Sequence, residues 1–137
     1  MTRDEFKILH SELIKYCQCI EFDLKRIYSG MSDGDFEDTM DTLETSSLGQ
    51  TLRELKKLDS SDGILDIKES SYELLDDIRE IRNYWCHQCY VDFIYIADDQ
   101  QRENEFQRLA RRLFNEHNRL YNIHRRLEKL YIEEFNP

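Results

Sequence analysis

The chain holds almost nothing that would stop a helix. Its 137 residues include one proline, Pro137 at the last position, and four glycines, Gly30, Gly34, Gly49 and Gly63. Proline removes a helix hydrogen bond and glycine raises the entropic cost of helix formation, so long uninterrupted helices are open to this sequence. An all-β sandwich, which needs turn residues about every 8–12 positions, is disfavoured. Hydrophobic residues make up 39% of the chain and charged ones 35%, enough for a modest core. A chain of this length buries roughly 70% of its unfolded surface, which predicts a single domain over residues 1–137.

Apolar spacing supplies the helices. Thr2 and Glu5 make a capping-box pair, and Phe6, Leu9, Leu13, Tyr16, Cys17, Ile20, Leu24 and Ile27 then recur every three or four positions. A first long helix is expected over 3–29, stopped by Gly30. Residues 31–46 are acidic, with Asp33, Asp35, Glu37, Asp38, Asp41 and Glu44 and no base, and read as a short surface helix. That stretch is a solvated face, or else a cation site or a dock for a basic partner. A second pattern starts at Ser47 and places Leu48, Leu52, Leu55 and Leu58 on one side, before a loop over Asp59–Gly63. The spacing predicts a third long helix over 70–97 and a fourth over 99–134. The expected fold is therefore all-α, a small bundle of three long helices and one or two short ones.

Charge is divided unevenly along the chain. The net charge of −10 opposes general affinity for nucleic acid, which is held mainly by lysine and arginine neutralising phosphates. Residues 1–101 carry 11 basic and 23 acidic side chains, whereas residues 102–137 carry 8 and 6. An anion site should draw on that last segment, where Arg108, Arg111, Arg112, Arg119, Arg125 and Arg126 are candidate RNA-backbone contacts. They serve equally well as partners for the acidic surface of the same domain. The N-terminal residues lack an apolar signal core, and the longest apolar run, Phe93–Ala97, falls far short of the roughly 18 residues of a membrane span. A cytoplasmic protein without membrane contact is expected, its cysteines reduced.

The third long helix carries an anomaly. At 100° per residue with Ile78 at zero, Leu75, Ile81, Trp85, Cys89 and Phe93 form an inward stripe, while Tyr84, Tyr90, Val91 and Ile94 fall on the far side. From Tyr84 onward the helix is apolar all round. A bundle this small has little room to bury it twice, so Tyr84, Tyr90, Val91 and Ile94 are expected to form a homodimer interface. Into this stretch the sequence places Arg82, Asn83 and His87. A buried guanidinium needs a partner or a cleft, and Glu80 or an acid of another helix would serve.

The string Arg82-Asn-Tyr-Trp-Cys-His87 resembles the Arg-polar-x-x-x-His motif of the HEPN superfamily, the higher eukaryotes and prokaryotes nucleotide-binding domains. The order of Leu48-Gly-Gln-Thr-Leu52, a loop, and an amphipathic helix running into Arg-Asn-x-x-x-His is also similar to that family. The resemblance covers most of the chain by helix layout and about six residues by identity. It implies a metal-independent endoribonuclease, frequently the toxin of a toxin–antitoxin, abortive-infection or antiphage-defence system, with its active site at a homodimer interface. Carried over, Arg82 and His87 are the catalytic pair and Asn83 the supporting polar residue, with RNA as substrate, an antitoxin as a candidate partner, and neither cofactor nor metal. One subgroup has a tyrosine two residues after the histidine that a nucleotidyltransferase partner modifies. Here that position is Cys89 and the tyrosine is Tyr90, a departure from the subgroup's pattern.

The side-chain chemistry fits such a reaction. A ribose 2′-hydroxyl attacking its own phosphate needs a proton carrier near neutral pH, and histidine has a reference pKa of about 6.5. Arginine, always charged and fork-shaped, steadies the extra negative charge. Five helical steps separate Arg82 and His87 by about 140°, which argues for two subunits sharing the site. The competing reading is a non-catalytic helical dimer, an adaptor or immunity module whose interface these residues order. Cys17, Cys19, Cys86 and Cys89 sit inside helical patterns and read as buried, small apolar residues rather than zinc ligands. His117 and His124 share a face of the last helix and read as a packed or surface pair rather than a phosphate-facing row.

Overall fold

Thr2 opens the first helix, its hydroxyl accepting from the Glu5 N–H at 3.1 Å. From that cap, helix α1 (Arg3–Met31) runs on through Gly30. Gly30 was expected to end it, but the glycine answers to a different need. A Cβ there would lie 2.8 Å from Cβ and Cγ of Phe135, so a bare Cα lets the end of the chain pack against α1. The computed structural model describes residues 1–62 and 67–135. Among them the remaining helices are α2 (Phe36–Leu43), α3 (Leu48–Asp59), α4 (Glu69–His87), α5 (Val91–Ile94) and α6 (Asp99–Glu134), with a 3-10 turn over Ser60–Asp62 and no strand. The expected loop over Asp59–Gly63 is thus helical to Asp62, and Gly63 lies outside the described residues. The fold is an all-α helical bundle.

Local caps explain several boundaries. Ser47 and Gln50 form a reciprocal capping box at the start of α3, Asp35 caps α2, and Asp98 accepts from the Gln101 N–H to start α6. At the far end of α3, buried Asp59 accepts the Tyr72 hydroxyl at 2.6 Å and ties α3 to α4.

Helices α1 and α6 run parallel along their length, as the pairs Arg3–Glu103, Glu12–His117 and Asp23–His124 require. Helix α4 runs antiparallel to α1, since His10 meets Trp85 and Glu21 meets Arg82. Phe6, Leu13, Ile20, Leu24 and Ile27 of α1 pack with Leu75, Ile78 and Trp85 of α4 and with Phe106, Leu109, Leu113 and Leu120 of α6 in one continuous core. Each such side chain contributes about 1.5–3 kcal/mol on burial.

The expected third helix over 70–97 is broken. Helix α4 ends at His87, and the Cys89 N–H bonds back to the Tyr84 carbonyl at 3.1 Å, five residues earlier. The turn redirects the chain so that Tyr90 and Phe93 fold onto Phe6, with ring centroids 5.6 and 6.0 Å away. Asp92 locks it, accepting from the Tyr84 hydroxyl at 2.7 Å and from Gln88 Nε2 at 2.8 Å. An all-round apolar stretch is thus partly buried by a bend rather than by remaining one straight helix. None of the helices is long and apolar enough to cross a membrane among the described residues.

Candidate functional site

Arg82, Asn83 and His87 lie on α4, and the helix presents them differently. Arg82 leans from the edge of the inward stripe toward α1, where its Nη1 pairs with the Glu21 carboxylate, and its side chain stays about a third exposed (32%). Of the two kinds of partner expected, Glu80 or an acid of another helix, Arg82 uses the second. Asn83 and His87 point away from the core and are exposed, with no hydrogen-bond partner among the described residues. Along α4, Arg82 and His87 stand about 7.5 Å apart and about 140° around the axis. One chain therefore offers a guanidinium on the α1 side and a free imidazole on the outer face. The two are not brought together within the chain.

Beside His87 the four proposed interface residues divide. Tyr84 is half-buried, with the Arg112 guanidinium 4.0 Å from its ring centre, and Tyr90 is half-buried against Phe6, His10 and Phe93. Val91 and Ile94 are each 51% exposed, and Tyr95 next to them is 81% exposed, so α5 carries an open apolar surface within a few residues of His87.

The six arginines share one broad outer face of α6, within about 140° and along about 27 Å. Arg108 pairs with Glu105 and Arg112 with Glu116, both on their own helix, and Arg125 donates to the Tyr121 hydroxyl at 2.8 Å. Arg111, Arg119 and Arg126 are exposed and without an acidic partner among the described residues. The basic segment is therefore partly neutralised locally and partly open.

The histidines of α6 are bound into the α1–α6 seam. His117 Nε2 donates to Glu12 at 2.6 Å, and His124 Nδ1 donates to the nearly buried Asp23 at 2.7 Å. Tyr16 sits between them, 5.4 and 5.8 Å from their rings. Asp23 also pairs with Arg26 at 3.1 Å, yet burial still raises its carboxyl above the ordinary value, outweighing the hydrogen bond and charge of His124. Spacing along the sequence could show that His117 and His124 share a face, but their partners lie about 100 residues away and left no local signal. Glu21 and Glu116 carry no local signal of their cross-helix partners either, since Glu21 meets Arg82 61 residues away and Glu116 accepts from the Trp85 indole 31 residues away, besides Arg112 on its own helix.

The cysteines differ from the expectation that all four are buried. Cys17 and Cys89 are buried, Cys19 is half-buried, and Cys86 is exposed, because the flank of α4 that carries it lies outside the core. Burial pushes the Cys17 thiol up to about 12 and the Cys89 thiol up to about 11, which keeps both protonated and inert at neutral pH. Among the described residues, no group of three or more histidine, cysteine or carboxylate side chains is placed to hold a metal ion. Comparison with known protein families, with curated proteins and with solved structures gives no match to this chain.

Proposed function

We propose that this chain is a metal-independent endoribonuclease of HEPN type, acting as a homodimer whose shared cleft takes the motif from both subunits. The observation that carries the reading is the exposed, unpartnered imidazole of His87 on the same helix as Arg82, next to the open apolar face of α5. In this scheme Val91 and Ile94 meet their counterparts across a two-fold axis. The axis brings two His87 side chains toward one scissile phosphate, one as base for the ribose 2′-hydroxyl and one as acid for the leaving 5′-oxygen. Arg82 leaves Glu21 for the phosphate and stabilises its extra charge, while Asn83 orients it. Arg111, Arg119 and Arg126 steady the flanking backbone. The biological setting that follows is a toxin or antiphage-defence component, cytoplasmic and restrained by a protein antitoxin.

The chemistry is tested by incubating the protein with RNA in EDTA and analysing the new ends. Attack by the 2′-hydroxyl leaves a 2′,3′-cyclic phosphate and a 5′-hydroxyl, and an all-2′-O-methyl substrate stays intact. Cleavage that EDTA abolishes, or that proceeds on the methylated strand, would overturn the mechanism.

The Arg82–Glu21 pair favours one alternative, a non-catalytic dimer acting as an adaptor or immunity module. There Arg82 only clamps α4 to α1, and no RNA is cut under any condition.

A further inference from the structure

Where the start of α4 meets the second half of α6, a surface groove of about 360 Å³ has Lys68 and Ser71 on one side and Arg126 and Lys129 on the other. Its size falls within the roughly 300–1,000 Å³ of small-molecule sites. Ile67, Ile123, Leu127 and Leu130 give it an apolar wall continuous with the core. Charge here runs against the acidic total of the chain. Lys68 and Arg126 are exposed and have no acidic partner among the described residues. Of the acids nearby, Glu69 turns to Lys56 at 3.2 Å, and Glu133, which lines the groove, sits 3.9 Å from Lys129. Lys68 is also the N-cap of α4 and gives that helix end no side-chain cap. A cation is the unfavourable sign at the positive end of a helix dipole, and an anion placed there relieves it. Ser71 points the same way. Its N–H bonds to the Lys68 carbonyl at 3.0 Å, which sets both residues in one turn. The residue is only 5% exposed and lines the groove, yet its hydroxyl has no hydrogen-bond partner among the described residues. The unpartnered Thr51 hydroxyl is sealed from solvent, whereas that of Ser71 opens onto the groove.

We infer that this groove binds a single-chain anionic amphiphile, its head held by Lys68, Arg126 and the Ser71 hydroxyl and its tail laid along Ile123, Leu127 and Leu130. Ammonium and guanidinium groups only donate, and a hydroxyl with no acceptor of its own is free to rotate and donate as well. A lone inorganic anion would leave the apolar wall wet, and an uncharged chain would leave the two cations and the hydroxyl unmatched. A carboxylate or phosphate on an alkyl chain satisfies both. The site stands independently of the catalytic residues of the ribonuclease reading, because it uses neither Arg82 nor Asn83 nor His87. Arg126 alone is shared with the proposed RNA contacts.

NMR titration of the full chain with acetate, hexanoate, octanoate, 1-octanol and octyl phosphate tests it, with backbone amides reporting the site. Octanoate should bind at least about tenfold tighter than acetate or 1-octanol, gaining about twofold per methylene, less than full burial gives because one side of the chain stays wet. The shifts should centre on residues 67–71 and 123–130. Tighter binding of octanoate or of octyl phosphate identifies the head group, and equal binding identifies the negative charge alone as what is recognised. Lys68→Gln and Arg126→Gln together, both at exposed positions, should bring octanoate down to the level of 1-octanol. Ser71→Ala should weaken octanoate several-fold at unchanged helicity, and Glu133→Gln should strengthen it. His87→Ala should bind as wild type does, so a failure here and a failure of RNA cleavage are told apart. Absence of saturable octanoate binding, equal binding of octanoate and 1-octanol, or indifference to the double change at Lys68 and Arg126 would each overturn the assignment.

Discussion

Arg82 is held by a single carboxylate on a neighbouring helix, and that contact separates two roles for the same side chain. As a clamp between α4 and α1, the partly exposed Arg82–Glu21 pair should contribute about 1 kcal/mol in a double-mutant cycle read by urea unfolding. As a phosphate ligand, Arg82 must be released, so Glu21→Gln should raise RNA cleavage while Arg82→Gln lowers it. Loss of cleavage in both variants, to the same extent as loss of stability, would assign Arg82 to the clamp alone. Asp23 gives a pH signature at the same scale. Burial raises its folded pKa, so the folded chain keeps that proton to higher pH than the unfolded chain. Its stabilising contribution is fully present below the ordinary carboxylate value and is lost as pH rises through the raised one. From about pH 3.5 to 7, wild-type stability relative to Asp23→Asn should therefore fall, a range that starts just below the ordinary aspartate value of about 3.9. A rise would mean that the pairs with His124 and Arg26 outweigh burial.

At the scale of elements, Gly30 offers a sharp test of helix packing. Gly30→Ala would place a methyl within 2.8 Å of Phe135 near its backbone, where the ring cannot simply swing away. Overpacking of this kind costs about 1–3 kcal/mol, measurable as a lower unfolding midpoint. In a Phe135→Gly background, which removes the Cβ as well as the ring, the same change should be neutral or stabilising by up to about 1 kcal/mol, since alanine suits a helix better than glycine. These elements also show what the sequence could reveal. The periodic apolar runs of α1 and α6 stand out because each helix buries one stripe, and the 99–134 expectation matches α6 from end to end. The break after His87 was hidden, because the residues on both sides of it are apolar and neither glycine nor proline marks the turn. What bends the chain there is tertiary, the packing of Tyr90 and Phe93 on Phe6, together with Asp92 bonding back to Tyr84 and Gln88. Arg82 and His87 were legible as a motif on one helix, whereas the α1–α6 pairs of His117 with Glu12 and His124 with Asp23, between residues more than 100 positions apart, were not.

At the scale of the whole molecule, the proposed dimer rests on α5. Changing Val91 and Ile94 together to glutamate should give a monomer by sedimentation while helicity stays constant, and RNA cleavage should disappear with the dimer. A dimer that survives the double change would place the two-fold contact elsewhere. The net charge of −10 opposes tight, general RNA affinity, so in the proposed ribonuclease any RNA contact through the open arginines Arg111, Arg119 and Arg126 should weaken as salt rises. The most direct measurement is the rate of RNA cleavage in EDTA by wild type and by His87→Ala, with helicity matched by circular dichroism. His87 is exposed and partnerless, so its removal should leave the fold intact and slow cleavage by about 10²–10⁴-fold, the usual worth of general acid–base catalysis. Equal cleavage by the two proteins would contradict a catalytic His87.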